Sequence, residues 1–396
     1  MTSFIPFPLI LNVLQWIFLV PIVAGSIYAV LCVLAMFRFR TRRQKPSRHS
    51  FDSWPPVTVL KPVYGLEKNL RENLRSTCLQ DYPEFQVVFS VQRRDDPAIP
   101  LLRELLSEFG PSLVTLAIED CRVGTNGKIN NMIGGIKYAR HEILVISDSD
   151  VFLRPDYLKS IVAPLADPEV GFACTLYKAA SADSWFEKAE LLTLNADLMT
   201  NIVFAHVTGA AKLCVGATTA LRRSTLEGIG GLEALADYLV EDFEMGRRIW
   251  ESGKKDVIVP YFIDTTMDLA SPSQWWGHQV YWDQNNRAAR PVPYFFTVIL
   301  KSIPFALLYA LVRLADPNGL MVLAAAVLVR LSTAALILGW GLRDPEGVRA
   351  LWLLPFRDVT GLISWLLAYT KRTTVWRGTR FELTHDGRLL PREEES

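Results

Sequence analysis

The sequence predicts an α/β domain on a mainly parallel sheet, held at a membrane by apolar segments on both sides. Three observations predict this. Mean hydropathy over the 396 residues is +0.19, too high for two or three soluble domains of roughly 150 residues each. The apolar residues are bunched toward the two ends. Between those ends, short apolar runs alternate with helix-like stretches, the pattern of parallel strands covered on both faces.

Composition narrows the function classes. With 50% hydrophobic and 11% aromatic residues the chain is not intrinsically disordered. Lys and Arg number 42 against 41 Asp and Glu, a net charge of +1, so no basic field attracts nucleic acid and no nucleic-acid partner is expected. Cys32, Cys78, Cys121, Cys174 and Cys214 are far apart and form no CxxC pair. Neither a thiolate metal cluster nor a disulfide scaffold is expected; the thiols read as free and reduced.

From Phe4 to Phe37 no residue is charged. About 20 apolar residues cross a bilayer core, and the run is too long for the apolar part of a signal peptide. It reads as a permanent anchor. Arg38, Arg40, Arg42, Arg43, Lys45 and Arg48 follow it, while the flank before it has no Lys or Arg. The positive-inside rule puts the chain after Arg38 in the cytoplasm. The same residues would also bind anionic headgroups.

Strands are expected at Val57–Leu60, Gln86–Val91, Leu113–Ile118, Ile143–Ser147 and Val257–Ile263, with helices over Asn69–Cys78, Pro100–Phe109 and Lys128–Ala139. Ligands of such sheets sit beyond the carboxyl ends of the strands. After Arg290 come three apolar runs, Val292–Leu314, Gly319–Gly341 and Leu351–Thr370, interrupted by Lys301 with Pro304, by Arg330, and by Arg357 beside Asp358. Charges inside spans pair, face a cavity or snorkel. If the basic, aromatic tail from Lys371 to Arg380 is cytoplasmic, one of the three runs is re-entrant or interfacial. The expected domains are therefore an anchor (residues 1–37), a cytosolic domain ending in an interfacial helix (38–290), C-terminal membrane segments (291–372) and a cytosolic tail (373–396).

Five stretches could carry chemistry. At the end of an apolar strand, Asp148-Ser-Asp150 sets two carboxylates one residue apart, enough for a hard divalent cation that also binds substrate phosphates. A turn or cap would explain the same triplet. Asp95-Asp96-Pro97 follows another strand and offers either a helix start or an acceptor for a base or ribose. Val123-Gly-Thr-Asn-Gly-Lys128 opens a helix and suits either a plain turn or a phosphate site; the GxxxxGK(S/T) pattern is absent. Glu241-Asp242 precedes a helix and supplies either a cap or a general base. Finally, the stretch from Ser273 to Arg287 is rich in Trp and Tyr, as interfacial helices are, and its polar side could line a site.

Together these stretches resemble the ceramide glucosyltransferases, inverting nucleotide-sugar transferases of type A fold. The resemblance runs over nearly the whole chain: Leu60-Lys-Pro-Val-Tyr-Gly, Asp81-Tyr-Pro, Val91-Gln92, Asp95-Asp-Pro-Ala-Ile, Lys128-Ile-Asn-Asn, Glu241-Asp242 and Trp376-Arg377. Hopanoid-linked bacterial glycosyltransferases are similar. The resemblance implies that Asp96 is associated with the nucleotide, that Asp148 and Asp150 form a metal-binding DxD for Mg²⁺ or Mn²⁺, that Lys128 lies near the donor, and that Asp242 is the base. It also implies a donor-side motif (Q/R)xxRW, for which this chain has His278-Gln-Val-Tyr281-Trp282. Trp282 matches, but His278 and Tyr281 depart from it. Tyr offers one hydrogen bond where Arg offers a charged fork, so either His278 or Arg287 substitutes for it, or the donor is handled differently.

The implied reaction is inverting transfer of one sugar, expected to be glucose, from a UDP-sugar to the primary hydroxyl of ceramide at the bilayer. The expected location is a bacterial inner membrane with the catalytic domain facing the cytosol. Competing readings are transfer to a hopanoid or diacylglycerol, a processive polysaccharide synthase, and an inactive nucleotide-sugar sensor.

Overall fold

The structure is a computed structural model and describes residues 7–41, 50–210, 212, 214–370, 373–376, 379–384 and 388–391. Of the basic flank, Arg42, Arg43, Lys45 and Arg48 lie outside the described residues, as do Lys371, Arg372 and Arg377 of the tail. The chain divides into two compact units. One comprises Arg42–Ala180, Gly209–Asp268 and Val375–Ser396; the other comprises Met1–Thr41, Ser181–Thr208 and Leu269–Thr374.

The first unit is built on eight strands: β1 (Val57–Pro62), β2 (Phe85–Val91), β3 (Val114–Ile118), β4 (Ile143–Ser147), β5 (Val151–Phe152), β6 (Val170–Ala179), β7 (Thr218–Arg222) and β8 (Lys255–Thr265). They lie in the order β3-β2-β1-β4-β7-β6-β8-β5. The half β3-β2-β1-β4 is parallel throughout. β7 runs antiparallel to both its neighbours, while β6 and β8 pair in parallel. Each expected strand forms, and the sheet is mainly parallel as expected. The unforeseen strands have physical reasons. β6 is a long continuous apolar run, which periodicity does not distinguish from a buried helix, and β7 is short and Thr-rich.

Strands β1 and β4 are buried over their whole length, as near-continuous apolar runs in a two-faced sheet require. Val57, Val59, Val87, Phe89 and Val145 join Leu74 and Leu102, from helices Leu70–Cys78 and Ile99–Phe109, in one core. Helix Gly127–Ile136 packs on β1 and β2. Its approach is close: a Cβ on Gly135 would lie 2.5 Å from the Ser90 Cβ and 2.8 Å from the Leu60 Cδ1. Asn126 caps this helix, its Oδ1 accepting from the backbone N–H groups of Lys128 and Ile129. The helix start, and with it Lys128, is thereby fixed over the end of the sheet.

The second unit is helical. Three helices, Leu11–Thr41, Pro317–Gly341 and Leu351–Thr370, are long and apolar enough to cross a membrane. The run around Lys301 is broken: segments Pro291–Leu300 and Ser302–Val312 meet at 51°, the geometry of a broken span or re-entrant loop. This bend lies in the first of the three C-terminal apolar runs. Ile22, Ala306, Tyr309 and Ala326 pack the first helix against two later ones. The charges inside these helices pair. Arg330 Nε donates to Asp358 Oδ2 at 2.9 Å, Arg357 Nη1 donates to Asp358 Oδ1 at 2.9 Å, and both arginines also donate to Asp197. Two stretches that the sequence groups with the sheet, Ser181–Thr208 and the Trp-rich helix Pro272–Ala289, cluster with these helices.

Gly135→Ala tests the packing of the helix that carries Lys128. Overpacking of this kind costs about 1–3 kcal/mol, so thermal melts of the variant should shift down by several degrees; an unchanged midpoint would contradict the close approach.

Candidate active site

The carboxyl end of β4 and the segments around it gather the ionisable side chains. Asp148 is held by its backbone, its N–H donating to the Ala217 carbonyl at 3.0 Å. Asp150 is held by β8 and the loop after it: its Oδ2 accepts from Thr265 Oγ1 at 3.1 Å and its carbonyl from the Thr266 N–H at 2.9 Å. Between them Ser149 donates to Glu67 Oε2 at 2.7 Å. Behind them Lys61, wholly buried in β1, donates to Ser147 Oγ at 3.2 Å. Burial pulls the Lys61 ammonium down to about 8 against the opposing pull of Asp150 and Asp148. Burial, reinforced by the negative charge of Asp148 and Glu67, pushes the Asp150 carboxyl up to about 7.

Lys128 joins this end of the sheet to the start of helix Glu241–Glu251. Its Nζ lies 2.7 Å from Asp148 Oδ1 and 3.0 Å from Glu241 Oε1. Burial opposes its charge, but these two carboxylates outweigh that and hold it well above the usual lysine range. Asp242 stands next to Glu241 in the first helical turn and is not the cap; the capping position is Val240. Asp242 Oδ1 accepts from the Phe243 N–H at 2.7 Å. Its Oδ2 faces Gly216, where a Cβ would lie 2.6 Å away. Ile129, Met132, Ile146 and Met245 line the small cavity beside it. That apolar lining explains the largest effect on this group: burial, then the charge of Glu241, pushes the Asp242 carboxyl up to about 7.

The sequence-expected residues therefore divide. Lys128 joins Asp148, whose neighbour two residues on is Asp150, to Glu241, whose neighbour is Asp242. Asp96 is buried and already engaged, its carboxylate accepting from Gly65 N–H at 3.0 Å and from Ala98 N–H at 2.9 Å. It braces the loop that leads to Glu67. His278 and Trp282 belong to the helical unit, where Trp282 Nε1 donates to His278 Nε2 at 2.8 Å and His278 Nδ1 lies 2.7 Å from Glu190 Oε1. Arg287 lies over the Tyr369 ring, 5.5 Å from its centroid. Sequence reasoning missed Lys61, Glu67 and the pairing of Glu241. A lysine inside the apolar run Val-Thr-Val-Leu-Lys61 was the available signal, since buried lysines need partners.

The donor set fits a divalent cation of the Mg²⁺ or Mn²⁺ kind: hard carboxylate oxygens, with Asp150 disfavoured as an anion until positive charge arrives. Among the described residues no three His, Cys, Asp or Glu side chains converge on a metal position. The protein's share would be the two carboxylates, the remainder coming from water and substrate phosphates.

A parallel half-sheet extended by antiparallel strands, with acidic groups at the strand ends, is the type A fold of glycosyltransferases. A solved mannosyltransferase from Pyrobaculum calidifontis, in complex with GDP-Man and Mn²⁺, has the same fold at a TM-score of 0.50 and 20% identity, over 89% of this chain and 99% of that one. The family model for glycosyl transferase family 21 matches residues 17–389. The chain belongs to that family. Among relatives, ceramide glucosyltransferase 1 of Caenorhabditis elegans is 28% identical over 205 residues, covering 52% of this chain and 44% of the relative. Ceramide glucosyltransferase 3 of the same organism is 23% identical over 346 residues, covering 86% of this chain and 75% of the relative.

Replacing Lys128 by Met tests the ion-pair arrangement. The lysine's own charge is present throughout the neutral range, so the loss comes from the carboxylates left facing one another. Chemical denaturation at pH 8 should show a loss of about 2–3 kcal/mol, discounted for partial exposure. At pH 6 the loss should shrink, because Asp150 and Asp242 take up protons below about 7. Equal losses at both pH values would contradict the assignment.

Proposed function

We propose that the protein transfers a single glucose from UDP-glucose to the primary hydroxyl of ceramide with inversion, giving a β-glucosylceramide. The observation that carries the reading is the meeting of Asp148 and Glu241 on the Lys128 ammonium, with Asp150 two residues from the one and Asp242 next to the other. Its support is family membership together with relatives that are ceramide glucosyltransferases. The domain proposed to do this is residues 38–290, facing the cytosol of a bacterial inner membrane, with residues 1–37 and 291–372 in the bilayer and 373–396 as a cytosolic tail.

In this mechanism the diphosphate of the donor meets Lys128, which exchanges part of its pairing with Asp148 and Glu241 for phosphate oxygens. Asp96 serves the nucleotide, and His278 and Trp282 are proposed as further donor-binding residues. Asp148 and Asp150 would hold Mg²⁺ or Mn²⁺, which when bound supplies positive charge to the leaving diphosphate. Asp242 Oδ2 takes the proton of the lipid hydroxyl as its oxygen attacks the anomeric carbon from the face opposite the leaving group. The C–O bond to UDP breaks as the new glycosidic bond forms. A base with a pKa near ambient pH suits this step, which is typically worth about 10²–10⁴-fold in rate.

Two measurements test the proposal. Purified full-length protein in nanodiscs, given labelled UDP-glucose and ceramide, should yield one glucose per lipid. Polymer would indicate a synthase, and binding without turnover a sensor. Asp242→Asn should lower kcat by at least 10²-fold with donor affinity nearly unchanged; normal turnover would remove Asp242 as base. In the pH profile, the ionised Asp242 is the active form, so kcat should fall on the acid side of about 7. A flat profile from pH 5 to 8 would count against it.

A further inference from the structure

Three apolar runs follow Arg290, and the path of the chain leaves room for two crossings. The sheet-based unit starts at Arg42, directly after the first helix, and includes the described tail from Val375. There Arg388 forms a β-bridge with Tyr238 and donates from Nη2 to its hydroxyl at 3.3 Å. A folded unit lies on one side of a bilayer, so the crossings between Arg290 and Val375 are even in number. Contacts along the first helix, Phe7–Thr41, identify two of them. A Cβ on Gly25 would lie 2.6 Å from the Leu300 carbonyl oxygen, and Arg313 Nη1 donates to Gln15 Oε1 at 3.1 Å. Ser302–Val312 therefore runs toward the N-terminal end of the first helix, away from Thr41. Pro317–Gly341 comes back: Ala326 packs with Ile22, and the Trp340 ring stacks on Phe37 with centroids 5.3 Å apart. One passage out and one back complete the even number.

The neighbours of the remaining helix, Leu354–Thr370, agree with that count. Trp275 stacks on Phe356 with centroids 6.1 Å apart, Ser364 Oγ donates to Asp283 Oδ2 at 2.5 Å, and the Arg287 guanidinium lies 5.5 Å from the centre of the Tyr369 ring. The helix thus runs beside Pro272–Ala289, in the same direction, over nearly its whole length. That companion carries Gln279, Asp283, Gln284, Asn285, Asn286 and Arg287, too many polar groups for a hydrocarbon crossing. Leu354–Thr370 is also the least apolar of the three long helices. Arg357, Ser364 and Ala368 are buried on its inner face, while Phe356, Ile363 and Leu366 are exposed. Val292, Phe295 and Phe296, on the segment before the 51° bend, are exposed as well. The Phe295 ring meets that of Trp365 at 6.1 Å, which joins the two apolar surfaces. At the bend itself, Lys301 Nζ lies 3.4 Å from where a Cβ on Gly361 would stand, so this surface is continuous with the crossing helices.

We propose that helix Leu354–Thr370 lies in the membrane interface without crossing, and that with segment Pro291–Leu300 it forms one apolar surface whose partner is the acyl chains of the leaflet at the Thr41 end of the first helix. An interfacial helix of this kind turns its apolar side to the acyl boundary and its polar side away from it; here the polar side is taken up by the companion helix. The inference rests on the chain being a membrane protein and is independent of the proposed reaction.

Two measurements on the full chain test it with different residues, so each decides alone. The first applies a membrane-impermeant maleimide to sealed vesicles in which the sheet-based unit faces outward, with the partly exposed Cys121 as the reference for that side. Arg349→Cys, ahead of the helix, and Ser396→Cys, after it, should both react. Leu314→Cys, in the turn between the two crossings, should react only after detergent opens the vesicles. Protection of position 349 or 396 but not the other would place a crossing between them and overturn the proposal. Reaction at position 314 in intact vesicles would remove the membrane reading beneath it. The second measurement places spin labels at Phe356→Cys, Ile363→Cys and Leu366→Cys in a Cys121→Ser background, the other four cysteines being buried. In nanodiscs, relaxation by oxygen and by a nickel chelate should report one common depth, with oxygen the stronger relaxant. A helix that crosses would spread the labels over about 15 Å, from a rise of about 1.5 Å per residue. That spread, or labels shielded from both relaxants by a second copy of the chain, would overturn the proposal.

Discussion

One ammonium group organises the sheet-based unit. Lys128 sits where a capped helix begins, and it draws Asp148 from the end of β4 and Glu241 from the start of a later helix onto one point. Without that cation, Asp148, Asp150, Glu241 and Asp242 would repel one another in a partly desolvated cleft, where charge is costly unless compensated. With it, the segment carrying Asp148 and Asp150 and the segment carrying Asp242 share a single electrostatic centre. Burial leaves Asp150 and Asp242 poised near neutrality, while Lys61 from below offsets part of the same negative field. On the proposed reading, this arrangement suits a ligand that brings both a negative diphosphate and a positive ion.

The helical unit solves a different problem with the same physics. Arginines inside apolar helices are tolerated only when paired, and Arg330 and Arg357 share Asp197 and Asp358. Asp197 comes from a stretch of π-helix, Leu192–Leu198, that also carries Thr193. Such stretches are frequent where side chains must be re-aimed for function. The pairing leaves Arg357 Nε for Thr193, and through Gln279 and Glu190 this fixes the ring of His278. A network required by the apolar surroundings of two arginines thus also orients a polar residue on the Trp-rich helix.

Much of this was legible in the sequence, and the gaps have definite causes. Ile143–Ser147 read as a strand because it is continuously apolar and ends in acidic residues, and it forms over those same residues. The unbroken charge-free stretch up to Phe37 is a long helix from Phe7. Arg330 and Arg357 were visible as charges in apolar runs, but their shared partner Asp197 lies 133 and 160 residues away in the chain, and distance in sequence hides pairing. Asp96 read as a ligand for a nucleotide; that its oxygens also accept from the Gly65 and Ala98 N–H groups is something only coordinates reveal. Glu190 was invisible for a similar reason. Nothing in its local sequence, a helical stretch of mixed polarity, marks it as the partner of a histidine 88 residues later.

The central claim is that Asp148, Asp150, Lys128 and Asp242 serve one nucleotide-sugar site. It is tested most directly by cryo-electron microscopy of the full chain in nanodiscs with UDP and Mn²⁺. The account predicts density for the diphosphate against Lys128, an ion at Asp148 and Asp150, and the Asp242 carboxylate open toward the position of the sugar. Nucleotide bound elsewhere, with the Lys128 pairings to Asp148 and Glu241 undisturbed, would contradict it.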